Sequence, residues 1–369
     1  MRLLPLILAL LATVLGGRTA QAAHLTYGWQ NVDGINIFFR EGGPRTGPTL
    51  VLLHGNPSSS IMYQELMEQL SDSIHVLAMD YPSFGYSDAP SHTTYRYTFD
   101  NVTGTVRKFL AERGVTRYGL YMQDYGVPVG FRLLAANPAA ISFLIVQNGV
   151  IHLDGFPAAQ DPNGELRQHW IKRNPAFDKR RADYASKLTQ PSATNWDEDH
   201  LLSPDAILLN QVSEQRPGVI DARNDMWFDY GLNVATYPAW QAALKKAAPP
   251  VLVLWGSRDD FFTTPGALAY LRDVPGAEVH ILDTVHFATL EVPDDIARLV
   301  GDFLKRQRVA PPPSVPRRAG SASWDSLRCA TVVPCRAGSA SWDSLRCATV
   351  GSHSARRRSN VQDQQASSS

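Results

Sequence analysis

The stretch Tyr118–Phe131, YGLYMQDYGVPVGF, reads as an apolar strand that stops at Asp124 and a helix that opens behind Gly126 and Gly130. A strand that turns sharply into a helix exposes one side chain at the helix N-terminus, the geometry in which a nucleophile is presented. Here that side chain is a carboxylate. A carboxylate attacks a carbon bearing a leaving group without help from a base, and the alkyl ester it forms is then open to hydrolysis. An Asp at this place also serves as an ordinary helix cap, so the segment alone leaves both roles open.

Outward from this segment, short β-branched runs alternate with helical stretches. The predicted strands are Ile35–Arg40, Thr49–Leu53, His75–Asp80, Tyr118–Gln123, Ile141–Gln147, Pro250–Trp255 and Ala277–Leu282, with helices over Phe99–Arg113 and Asp294–Arg306 among them. Several strands are apolar at nearly every position, as expected of strands covered on both faces. The pattern predicts an α/β fold with a mostly parallel sheet flanked by helices and right-handed crossovers. Between 151 and 245 the alternation breaks into helical, Trp- and Arg-rich sequence without a clear strand. An insertion there would lie over the strand ends as a helical cap.

Four loops that follow strands carry polar residues: His54-Gly55-Asn56-Pro57-Ser58, Asp80–Asp88, Gly256–Asp260 and Asp283–Phe287. All of them fall at the carboxyl edge of the sheet, where such folds bind ligands. The chain order Asp124, Asp259, His286 is that of a nucleophile, an acid and a histidine in an α/β-hydrolase. Asp260 is adjacent, so either acid is a candidate to orient His286.

Taken together, HGNPSS, DYPSFGYSD, QDYG and DTVHF resemble the motifs of the haloalkane dehalogenase and epoxide hydrolase branch of the α/β-hydrolases over roughly 25–308. The resemblance implies an α/β-hydrolase fold with an inserted helical cap, an Asp124–His286–Asp259 triad, and no cofactor. His286 would activate water, and the backbone N–H groups of Asn56 and Tyr125 would form the oxyanion hole. It implies carbon–halogen cleavage of a small substrate through an aspartyl ester, with Asn56 holding the leaving halide. Tyr125 stands where dehalogenases usually place a Trp, so a phenol replaces an indole donor. The alternative is epoxide opening, with Tyr184, Tyr230 or Tyr237 of the cap as proton donor. A carboxylic ester hydrolase and a non-catalytic binding protein on the same fold are more distant alternatives. The cap also carries Trp170, Trp196, Trp227 and Trp240, as pocket lining or as packing.

Gly85-Tyr86-Ser87-Asp88-Ala89 imitates a serine-nucleophile turn but follows the wrong strand and ends in Ala. Spacing typical of metal ligands does not occur in the sequence. The 369 residues carry 35 basic and 35 acidic side chains, yet the balance is uneven. Residues 1–22 contribute +2 and residues 311–369 contribute +5, which leaves 23–310 at −7. A body of that sign is not expected to bind nucleic acid; the expected partners are a small-molecule substrate and water.

Residues 1–22 read as a signal peptide: Arg2, an apolar run from Leu3 to Gly16, and Ala20-Gln21-Ala22 as a cleavage pattern. No segment reaches the roughly 18 apolar residues that a membrane span needs. The expectation is an exported protein, periplasmic or secreted, cut near Ala22 and without a stable membrane anchor. The core is then expected in two parts, 23–150 and 246–310, around the cap at 151–245. Residues 311–369 read as a disordered tail holding a tandem duplication, Val315–Val332 and Val333–Val350, and all three cysteines, 329, 335 and 347.

Overall fold

The structure, a computed structural model, describes residues 24–157, 164–188, 203–307 and 330–332. The signal-peptide reading, its cut at Ala22, Trp196, the cysteines and the tail apart from 330–332 lie outside the described residues. The strands are β1 (Thr26–Val32), β2 (Ile35–Gly42), β3 (Thr49–Leu53), β4 (His75–Met79), β5 (Tyr118–Gln123), β6 (Ile141–Gln147), β7 (Val251–Gly256), β8 (Glu278–Leu282) and β9 (Ala330–Val332). The main helices are α1 (Gln64–Leu70), α2 (Phe99–Glu112), α3 (Gly126–Ala136), α4 (Glu165–Ile171), α5 (Pro175–Leu188), α6 (Pro204–Glu214), α7 (Val219–Ala247), α8 (Thr264–Ala269) and α9 (Pro293–Arg306).

The strands form one sheet in the order β1-β2-β4-β3-β5-β6-β7-β8-β9. From β4 through β8 all pairings are parallel, while β1 on β2, β2 on β4 and β8 on β9 are antiparallel. The central strands β3, β5 and β7 are buried at every residue, because helices cover both faces. Their alternation feeds two separate cores. Val51, Leu53, Leu120, Met122 and Val253 pack on one face with α2, α3 and α7. Leu50, Leu52, Tyr121, Leu252 and Leu254 pack on the other with α1 and α9.

Helix α9 shows how local sequence fixes an element. Pro293 sits in its first turn with Asp294 and Asp295, and Lys305 and Arg306 occupy its last turn. Each charge opposes the partial charge of its helix end. Its buried stripe is Ile296, Ala297, Leu299, Val300, Phe303 and Leu304.

Two strands escape the sequence expectation. β1 is mostly exposed, so it lacks the apolar run that marks the others. It is set by a tight hairpin at Asp33-Gly34, both at positive φ (52° and 87°), the turn that suits two twisted antiparallel strands. β9 lies inside the tail read as disordered. The β-branched Thr331 and Val332 pair with the otherwise open edge of β8, at His280 and Val279.

The four helices α4–α7 are inserted between β6 and β7. Polar ties fix the insertion over the carboxyl edge. Arg216 donates to the carbonyls of Ser87 (2.6 Å) and Ser83 (2.8 Å), and Arg223 to the Ser83 hydroxyl (2.7 Å). Asp229 of α7 accepts the Phe99 N–H at 2.8 Å, one of the donors that the first turn of α2 leaves without a helical partner.

The ring of Phe303 meets Phe143 edge-on, with centroids 6.0 Å apart. Phe303→Ala is expected to cost about 3–5 kcal/mol in denaturant unfolding. A loss below about 1 kcal/mol would contradict the role given to α9 in the second core.

Candidate active site

Asp124 follows directly on β5 with φ at 49°, in the left-handed region that a non-glycine side chain rarely occupies. The surroundings hold it there. Its N–H donates to the Asn148 carbonyl (3.3 Å), and its own carbonyl accepts the Val127 N–H (3.0 Å), the first bond of the helix behind it. Gly126 is needed by contact: a Cβ there would stand 2.0 Å from the Leu53 carbonyl oxygen. Gly55 is needed likewise, since a Cβ would lie 2.3 Å from the Cβ of Asp124.

The β3 loop supplies the other wall. Asn56 donates its N–H to Asp124 Oδ1 at 2.7 Å, and the Tyr125 N–H donates to the same carboxylate. Both backbone donors expected of an oxyanion hole thus converge on Asp124. Burial pushes this carboxyl above its ordinary range, against the pull of His286 and the two N–H groups.

His286 stands opposite, its Nε2 at 3.8 Å from Asp124 Oδ2 and its Nδ1 at 2.8 Å from Asp259 Oδ2. Asp259 is buried and Asp260 is exposed, so the geometry separates the two acids. Asp259 is itself oriented, by the Asn148 side-chain amide (2.7 Å) on Oδ2 and the Phe261 N–H (2.7 Å) on Oδ1. Burial works to lower the His286 pKa, but the Asp259 charge and hydrogen bond outweigh it and raise the value above the ordinary 6.5.

One contact escaped the sequence reading. Gln123, the last residue of β5, places its amide nitrogen 2.8 Å from His286 Nε2 and 3.3 Å from the His286 carbonyl, which the Gln147 amide also reaches at 3.3 Å. The available signal was a polar residue closing an otherwise apolar buried strand. These two glutamines seat the histidine loop from beneath, and Glu291 seats it from the side by accepting the Val285 N–H at 2.8 Å.

Of the cap tyrosines, Tyr230 and Tyr237 are buried, with hydroxyl oxygens 3.3 Å apart. They lie seven residues apart on α7, hence on one helix face. The Tyr230 ring is 6.0 Å from that of Tyr125, and the Asp124 charge acts on both phenols. Tyr184 falls on α5 at a position whose side chain is outside the described residues. Trp170 stacks on Tyr230 at 5.5 Å and donates its indole N–H to the Trp227 carbonyl (3.0 Å), and Trp240 packs in the core against Phe131. The Tyr125 hydroxyl and the Asn56 Oδ1 are buried without a hydrogen-bond partner among the described residues.

Two other polar residues of the motifs are structural. His54 is fully buried, accepts the Tyr81 N–H (3.1 Å) at Nε2 and has its pKa pushed down to about 3 by burial. Ser87 donates to the Asp80 carbonyl (2.7 Å) and accepts the Phe38 N–H (2.8 Å), which is the work of a turn residue.

Replacing Asp259 by Asn removes the charge that holds the His286 pKa up. The histidine's titration midpoint, followed by NMR, should fall by about 1–3 pH units. An unchanged midpoint would show that another group sets it.

Residues 48–293 match the family model described as alpha/beta hydrolase fold. An uncharacterized hydrolase of Saccharomyces cerevisiae is 34% identical over 263 residues, covering 69% of this chain and 89% of that protein. A haloalkane dehalogenase of Psychrobacter cryohalolentis is 24% identical, covering 73% and 88%. Among solved structures, a haloalkane dehalogenase from Bradyrhizobium elkani superposes with a TM-score of 0.65 at 19% identity, covering 77% and 99%. An epoxide hydrolase superposes with a TM-score of 0.61 at 21% identity, covering 77% and 99%. With its elbow, its sheet and these relatives, the chain belongs to the alpha/beta hydrolase fold family.

Proposed function

We propose that this hydrolase opens epoxides through an aspartyl ester. The observation that carries the reading is the pair of buried phenols, Tyr230 and Tyr237, 3.3 Å apart beside the aromatic ring that follows Asp124. An epoxide oxygen becomes an alkoxide as its carbon is attacked, and it needs a proton at that moment. Burial, together with the Asp124 charge, raises both phenols above their ordinary range, so both remain protonated donors in the resting site.

Asp124 Oδ2 attacks the ring carbon, the carbon–oxygen bond breaks, and the ring oxygen takes a proton from one tyrosine. Water then loses a proton to His286 Nε2 and attacks the carboxyl carbon of Asp124. The oxyanion develops on Oδ1, where the Asn56 N–H already points, with the Tyr125 N–H on the same carboxylate. As the intermediate collapses the imidazolium gives its proton to the departing Oδ2, which leaves as the second hydroxyl of the diol, and the proton left on the new Asp124 carboxyl returns to the tyrosinate. Asp259 stabilises the imidazolium between these steps.

Carbon–halogen cleavage is the second reading, favoured by the dehalogenase relatives and by Asn56 beside the nucleophile. It uses the same ester, and the halide leaves without a proton. Asn56 and the unpartnered Tyr125 hydroxyl would hold it. The proposals for the cap at 151–245, for export and for a cofactor-free reaction stand with either reading.

Intact mass of His286→Gln, exposed to epoxides and haloalkanes, separates the two. A gain equal to the whole epoxide supports ring opening; a gain equal to substrate less hydrogen halide supports dehalogenation; no gain counts against Asp124 as nucleophile. Tyr230→Phe and Tyr237→Phe should slow the epoxide adduct by about 10²–10⁴ and leave any halide adduct at its original rate. In the wild type, hydrolysis of the ester requires neutral His286. Turnover is therefore expected to fall as pH drops through the raised His286 value, above 6.5. A profile flat across that range would speak against His286 as the base.

A further inference from the structure

Beside the phenol pair, the inserted helices bring a guanidinium to the same aromatic cluster. Arg181 of α5 lies with Cζ 3.7 Å above the Trp227 ring, and the Trp227 ring is 6.1 Å from Tyr230. Among the described residues, three buried donors gather here without an acceptor: Arg181 Nε, Trp227 Nε1 and the Tyr125 hydroxyl. A buried donor left unpaired is costly, and three of them in one cluster suit an acceptor that a ligand would bring.

No ion pair engages Arg181 among the described residues. The acids whose charge reaches it are Glu214, which holds Arg223 at 2.8 Å, and Asp124 itself. The neighbouring Arg223, by contrast, is fully used, by Glu214 and by both oxygens of Ser83. Arg181 is thus a cation in no ion pair among the described residues, set over an indole face and within reach of the Asp124 charge. Stacking on an aromatic face holds a guanidinium in one plane while its edge stays open to a planar anion.

Resting on the aspartyl-ester reading, we propose that Arg181 recognises a carboxylate on the substrate, with Trp227 Nε1 and the Tyr125 hydroxyl as the further donors. The substrates would then be small epoxy acids, or halo acids under the second reading. The carboxylate would lie under α5 while the reactive carbon meets Asp124. A carboxylate fits better than a released halide, because a planar two-oxygen acceptor engages a guanidinium edge through parallel bonds.

The direct comparison is kcat/KM for oxirane-2-carboxylate and for its neutral amide. In the wild type the carboxylate should be preferred, and Arg181→Met should lower its kcat/KM by about 10–100-fold more than that of the amide, chiefly through KM. Arg181→Lys should restore part of the preference. Equal losses on both substrates, or a wild type that favours the amide, would overturn the proposal while leaving ring opening intact. Calorimetric binding to the wild type gives a readout free of the chemistry. Butanoate should bind about tenfold or more tightly than butanamide, and Arg181→Met should erase the difference. Equal binding overturns carboxylate recognition. Preferential butanoate binding with no adduct on His286→Gln would instead leave Arg181 standing and remove the ester reading.

Discussion

The contact on which the site depends is the bond from the Asn56 N–H to Asp124 Oδ1, 2.7 Å long, made by a residue held at φ 49°. A left-handed aspartate is strained unless its surroundings insist on it. The insistence comes from two approaches too close for a side chain, Gly126 against the Leu53 carbonyl and Gly55 against Asp124. The parallel order of β3 beside β5 is what lays the two loops against each other. One carboxylate oxygen is thereby fixed on the Asn56 N–H, and the other is left to face His286.

The same device recurs one strand along. Asn148 ends β6 at φ 41°, accepts the Gly256 N–H (3.0 Å) and donates to Asp259 (2.7 Å). Three adjacent strand ends are thus stitched by polar side chains and backbone, so Asp124 and Asp259 are positioned from the sheet. The inserted helices complete the enclosure through Arg216, Arg223 and Asp229, each engaging backbone of the core at 2.6 to 2.9 Å.

Much of this was legible in the chain. The central strands are apolar at nearly every position because both faces are covered, and that pattern fixed seven of the strands to within two residues at most of their ends. Asp124, Asp259 and His286 stood out by order and by loop position. β1 was hidden because its residues are exposed, and β9 because a three-residue strand carries no periodicity. The choice between Asp259 and Asp260 needed three dimensions, since neighbours in a loop differ only in direction. Gln123 and Arg181 were missed for a related reason. Their importance lies in which atom they approach, a buried imidazole nitrogen and an indole face, and spacing along the chain holds no trace of either. The Tyr230 and Tyr237 pairing was within reach, because seven residues on a helix returns to the same face.

The central claim is that Asp124 becomes an ester and is hydrolysed at its own carboxyl carbon. A single turnover in oxygen-18 water, with enzyme in excess over an epoxide, tests it most directly. The account predicts that the label enters the Asp124 carboxylate, detected in the peptide that contains it, while the first product diol carries an oxygen from the enzyme. Label found in the diol with Asp124 unlabelled would mean that water attacks the substrate itself, and would contradict the account.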